Sequence, residues 1–217
     1  MPEVLPPHAA DQRVTAGPAP GEANAALILV HGRGGSAREM LLLAREIADG
    51  TVACLAPQAS GHTWYPYSFL SPLEQNEPGL SSGLAVLDAL VREAIAAGVP
   101  RKRVALLGFS QGACLALEFL ARSADRFGGV IGLSGGLIGP PNTPRDYVGS
   151  LQGTPVLLGC SDVDPHIPLE RVEETATVLA DLGGEVTKRI YPGLGHTING
   201  DELDRARALL GRIVSTA

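Results

Sequence analysis

Short apolar runs alternate with longer stretches of helical spacing along almost this whole chain. That rhythm restricts the fold more than any other feature of the sequence. The runs at residues 26–31, 51–56, 103–108, 129–133, 155–160 and 185–191 read as buried strands, too short for helices. Between them, apolar residues recur at three- and four-residue intervals, as in Met40, Leu43, Ile47 and in Leu84, Leu87, Val91, Ile95. Further helices are expected over 111–122, 169–182 and 201–213, and Gly98 and the Gly183-Gly184 pair stand where left-handed helix caps belong. Strand–helix alternation of this kind builds βαβ units, so the expected class is α/β with a mostly parallel central sheet and helices on both faces. Residues 1–24, rich in Pro, Ala and Gly, read as a flexible arm with an edge strand near 12–16; residues 25–217 read as one domain.

Charge and composition remove several function classes. A formal net charge of −6 and a pI of about 5.3 argue against nucleic acid or an anionic membrane as partner. The one compact basic run, Arg101-Lys102-Arg103, precedes an apolar strand and reads as a solvated strand entry. No apolar run approaches the roughly 20 residues of a spanning helix, and the first residues lack the apolar core of a secretory signal. A cytoplasmic protein is therefore expected, with the oligomeric state open and a homodimer one option. Cys54, Cys114 and Cys160 are too few and too scattered for a disulfide framework or a zinc site, and no metal or cofactor is expected.

The sharpest motif is Gly108-Phe109-Ser110-Gln111-Gly112. A G-x-S-x-G run exposes its serine only on a tight strand-to-helix turn, with glycines that let the two elements approach. Here an apolar strand runs in and an apolar helix runs out, so Ser110 is the expected nucleophile. The same pattern recurs at Gly132-Leu133-Ser134-Gly135-Gly136, but the glycines and prolines that follow cannot start a helix, so Ser134 reads as a strand-end turn.

A serine hydroxyl needs an imidazole to take its proton and a carboxylate to orient that imidazole. Of five histidines, only His196 follows the last expected strand and precedes the last helix, which is where the base falls in the order Ser, acid, His. Asp164, after the strand ending at residue 160, is the expected acid; position favours it over Asp162 without excluding the latter. The developing oxyanion needs two backbone donors. Gln111 N–H, just after the nucleophile, and Arg33 N–H, in the glycine loop His31-Gly32-Arg33-Gly34-Gly35, are assigned to that role. Ala37 stands where G-x-G-x-x-G needs its last glycine, so a dinucleotide site is not expected.

Together, the Gly-Phe-Ser-Gln-Gly run, the early His-Gly-x-Gly, the Asp-x-Asp-Pro segment and the late Gly-His resemble the phospholipase/carboxylesterase family, which includes the acyl-protein thioesterases. The resemblance covers the chain from about residue 26 onward. It implies an α/β-hydrolase fold without a separate lid domain. It also implies hydrolysis of small-molecule carboxylic esters or thioesters through Ser110, His196 and Asp164, with Arg33 and Gln111 at the oxyanion positions. The chain departs from the family in Cys160-Ser161 before the acidic pair, and in Arg33 and Gly35 of the glycine loop. The Arg33 side chain is expected either as a cation at the mouth of the site or as a solvated loop arginine.

Residues 57–79 carry Trp64, Tyr65, Tyr67 and Phe69 in a chain only 4% aromatic. With His62, they are expected to wall an acyl or aryl pocket, Trp64 foremost, or else to cover the sheet edge. Two other readings stay open: a dienelactone-hydrolase-like enzyme, which would need a cysteine nucleophile, and a non-catalytic binding module on the same scaffold.

Overall fold

The computed structural model describes residues 5–215. The strands are β1 (Arg13–Ala16), β2 (Ala25–Val30), β3 (Val52–Pro57), β4 (Val104–Phe109), β5 (Gly129–Leu133), β6 (Pro155–Ser161) and β7 (Glu185–Tyr191). The α-helices are α1 (Ala37–Ile47), α2 (Gly79–Ala96), α3 (Gln111–Ser123), α4 (Leu169–Asp181) and α5 (Gly200–Ser215). The strands form one sheet in the order β1-β3-β2-β4-β5-β6-β7, in which β1 runs antiparallel to β3 and all other neighbours are parallel.

The continuous apolar runs are explained by cover on both faces. Alternate residues of β2 and β4 enter different cores. Ile28, Val30 and Leu106 face one that also holds Leu80, Leu87 and Leu90 of α2, Leu115 of α3 and Val172 and Leu179 of α4. Leu27, Leu29 and Leu107 face the other, with Met40, Ala44 and Ile47 of α1 and Leu209, Leu210 and Ile213 of α5. A strand buried on both sides has no polar face, which is why its sequence shows no period-two alternation. The edge strand β7 does show that alternation, exposed and half-buried by turns.

The strand order places a switch point at the centre of the sheet. From β2 the chain moves outward to β3, then returns over the opposite face to lay β4 on the other side of β2. Crossovers that diverge in this way leave a crevice at the carboxyl ends of the two central strands. The glycine loop leaves β2 there, and Ser110 leaves β4 beside it.

The segment expected as a flexible arm is packed where the structure describes it. Arg13–Ala16 forms the antiparallel edge strand, and Arg13 grips Glu93 of α2 at 2.6 and 2.7 Å. Upstream, His8 is buried: its ring accepts from Ser60 N–H (3.1 Å) and donates to the Trp64 carbonyl (2.8 Å). The basic run forms a short 3₁₀ turn, in which Arg101 pairs with Asp125 and lies over the Phe127 ring rather than standing free. No helix among the described residues is long and apolar enough to cross a membrane, and none of their His, Cys, Asp and Glu side chains form a metal-binding group of three.

Candidate active site

Ser110 alone makes the turn between β4 and α3, and its backbone shows the cost: φ 55°, ψ −121°. Non-glycine residues avoid that region unless their surroundings hold them in it. Here Ser110 N–H donates to the Leu133 carbonyl at 2.9 Å and its carbonyl accepts from Cys114 N–H at 3.0 Å. Both glycines of the motif are required by contact. A Cβ on Gly108 would overlap the Gly112 carbonyl, and one on Gly112 would overlap the Val30 carbonyl. Ser134, the second serine in this pattern, is buried at the end of β5 with its N–H on the Gly159 carbonyl, and no helix follows it directly.

The loop after β7 brings His196 across the strand ends. Its Nε2 lies 2.9 Å from Ser110 Oγ, and its Nδ1 lies 2.7 Å from Asp164 Oδ2. The Asp164 carboxylate has no exposed surface. Its Oδ1 accepts the N–H groups of His166 (2.9 Å) and Ile167 (3.1 Å), so both oxygens are occupied. Burial pushes this carboxyl up, but the hydrogen bonds from His196 and the two backbone amides outweigh it and hold the group below the usual carboxylate range. Asp162 takes a different part: it accepts Gly193 N–H at 2.8 Å, while Ser161 Oγ accepts Gly195 N–H at 3.0 Å. These two residues at the end of β6 fasten the loop that carries His196. The His196 ring sits between Phe109 and His166, at centroid distances of 5.0 and 4.8 Å.

The glycine loop after β2 is clamped from below and outside. Buried His31 donates to the Gly32 carbonyl (2.7 Å) and accepts Ala59 N–H (3.1 Å). Outside, the exposed His62 donates to the Gly35 carbonyl (2.8 Å), and its own carbonyl accepts Gly34 N–H (2.8 Å). Arg33 therefore lies in a loop held on both sides, and it lines the same cleft as Gln111, the first residue of α3, whose N–H has no acceptor within the helix. The Arg33 side chain is an exposed cation at the mouth of the site, but it is tied to the aromatic loop rather than free. Its Nη1 donates to Thr63 Oγ1 and the Pro66 carbonyl, and its Nη2 to the carbonyls of Tyr65 and Tyr67.

A cleft of about 570 Å³ opens over Ser110 and His196. Tyr65, Tyr67 and Phe69 of the aromatic loop line it. Trp64 and His62 do not. Trp64 is fully buried beneath the loop, its indole N–H on the His31 carbonyl at 2.9 Å, and His62 faces outward on the glycine loop. Ser68, Cys114, His166 and Ile167, outside the expected set, also line the cleft, as does the exposed Arg33. For His166 and Ile167 a signal existed: they stand two and three residues after Asp164, so any turn that delivers the acid delivers them too. Cys114 lies buried in the cleft floor, where burial pushes its thiol up to about 12.

The phospholipase/carboxylesterase family model matches residues 13–213, spanning the sheet and every element of this site. The chain belongs to the phospholipase/carboxylesterase family. Among solved structures, a phospholipase/carboxylesterase from Dyadobacter fermentans shares 39% identity with a TM-score of 0.90, covering 96% of this chain and 99% of that one. Esterase PE8 shares 29% identity with a TM-score of 0.76, over 92% and 97% of the two chains. Acyl-protein thioesterase 1 of Gibberella zeae is 35% identical over 124 residues, 56% of this chain and 52% of that protein. The match thus spans about half of that relative's length. Lysophospholipase-like protein 1 of Mus musculus is 25% identical over 87% of this chain and 86% of its own.

Proposed function

We propose that this member of the phospholipase/carboxylesterase family is a serine hydrolase that cleaves carboxylic esters, and thioesters by the same chemistry, through an acyl-enzyme on Ser110. The observation that carries the reading is the unbroken run of hydrogen bonds from Ser110 Oγ through His196 to the buried Asp164, at 2.9 and 2.7 Å. Asp164 fixes the imidazole with its proton on Nδ1, leaving Nε2 free to accept the serine proton. Ser110 Oγ then attacks the carbonyl carbon, and the resulting oxyanion is held by the N–H groups of Arg33 and Gln111. Collapse breaks the bond to the leaving alcohol or thiol, which takes the proton back from His196. Water, activated by the same imidazole, attacks the acyl-serine and releases the acid.

The cleft is open and walled by Tyr65, Tyr67 and Phe69, which suits small or medium acyl and aryl groups. The thioesterase name of the Gibberella zeae relative supports including thioesters. A cysteine nucleophile of the dienelactone-hydrolase kind is disfavoured, because Cys114, the one cysteine lining the cleft among the described residues, is buried and its thiol is pushed up by that burial. A fluorophosphonate probe tests the reading: wild type is labelled, and Ser110→Ala and His196→Ala are not. A p-nitrophenyl ester series should peak at short to medium chains. Absence of labelling in wild type would discard the hydrolase assignment, and a maximum at long chains would discard the substrate class.

A further inference from the structure

The side chains of the two residues that offer the oxyanion amides converge on a single stretch of backbone, residues 63–67. From one side the Arg33 guanidinium spends four hydrogen bonds on it, at 2.9, 2.9, 2.9 and 2.6 Å. From the other, Gln111 Nε2 donates to the Tyr65 carbonyl at 2.8 Å and its Oε1 accepts Trp64 N–H at 2.9 Å. Thr63 closes the ring: its hydroxyl accepts from Arg33 and lies 3.0 Å from the Tyr65 carbonyl and 3.2 Å from Gln111 Oε1. The Tyr65 carbonyl thus collects donors from both oxyanion residues, while the Tyr65 ring lines the acyl cleft.

We propose that Arg33 is a positioning and specificity-determining residue whose guanidinium locks the acyl wall, Tyr65 to Tyr67, to the oxyanion hole so that the two move as one body. The proposal rests on the ester-hydrolase reading above. All four of its acceptors are uncharged, and three are main-chain carbonyls, so the fork reads the shape of the loop rather than pairing with an acid. An acyl group that fits leaves wall and donors in register. One that presses on Tyr65 or Tyr67 displaces the loop, and the displacement passes through the Arg33 and Gln111 side chains to their own N–H groups. Misfit is then expressed in the transition state, where those amides act, and lowers kcat; a wall independent of the donors would penalise misfit through KM.

The test measures kcat and KM separately over p-nitrophenyl acetate to octanoate, with thermal midpoints, for wild type, Arg33→Met and Thr63→Val. Methionine keeps an apolar stem and removes the fork. For Arg33→Met, kcat on the best ester should fall about tenfold, short of the roughly 10²–10³ that deleting an oxyanion donor costs. KM should stay within about threefold, and the dependence of kcat on chain length should flatten. Thr63→Val should move the same way by about threefold, and it decides the matter alone if Arg33→Met does not fold. An active wild type whose variants keep both kcat and chain-length profile, even with a lowered thermal midpoint, overturns the coupling and leaves the hydrolase reading intact. A wild type that neither labels nor turns over any ester overturns both.

Discussion

Replacing Asp164 with asparagine changes one atom and should nearly silence the site. The side chain keeps its shape, and its carbonyl oxygen can still accept the N–H groups of His166 and Ile167, now at 2.9 and 3.1 Å. Those two donors fix the amide orientation, so the new NH₂ must face His196 Nδ1, 2.7 Å away. A donor cannot face a donor. The imidazole therefore gives up the Nδ1 proton and carries its hydrogen on Nε2, which lies 2.9 Å from Ser110 Oγ and no longer accepts the serine proton. The scaffold is intact while the tautomer is wrong, a situation that costs about 10³–10⁴ in turnover, or about 4–5.5 kcal/mol in the barrier. The assay is kcat/KM on a short p-nitrophenyl ester, read beside the thermal midpoint to show that the variant is folded. Asp162→Asn is the control, because its single bond to Gly193 N–H survives as a carbonyl acceptor, and its loss should stay within about threefold. If Asp164→Asn remains within tenfold of wild type, or Asp162→Asn is the more damaging change, the orientation argument is wrong.

Trp64→Ala should act on stability, costing about 3–5 kcal/mol and lowering the thermal midpoint by roughly 6–20 °C, because the ring is fully buried between His8 and His31. A tenfold rise in KM with an unchanged midpoint would return it to the pocket wall. Iodoacetamide at pH 7.5 should leave esterase activity intact over hours, since Cys114 is held protonated by burial; rapid inactivation with Cys114 modified would contradict this. Burial lowers the pKa of both His8 and His31 from the ordinary 6.5. The unfolded chain therefore binds protons that the folded chain refuses once the pH drops below about 6.5, and stability, full above that point, is lost as the pH falls toward the folded values. Unfolding free energies from urea titrations should decline from pH 7.5 to 5.0 with a slope of at most about 1.4 kcal/mol per unit per histidine, and less steeply in His8→Gln; a flat wild-type curve would refute the assignment.

What could be read in advance follows how locally each feature is encoded. The sheet and its helices are written in apolar spacing, and the serine turn in five contiguous residues flanked by a strand and a helix. His196 could be singled out because chain order leaves it alone after the last strand. Asp164 and Asp162 share one turn, and only the direction of the backbone separates a carboxylate under the imidazole from one that ties down Gly193. Trp64 misled because its neighbours face the cleft; its own burial depends on His8 and His31, residues 56 and 33 positions away in the chain. The Arg33 clamp has no sequence signature at all, since three of its four acceptors are main-chain carbonyls, which every residue possesses.

His8 draws together the start of the chain, the turn at Ser60, the carbonyl of Trp64 and, through its own N–H, the Ser82 hydroxyl of α2. The family match begins only at residue 13. Trimming an expression clone to that boundary would pull out a keystone. The aromatic turn would lose its support from behind, so a shortened protein would serve poorly as a stand-in for the whole in any comparison of substrates.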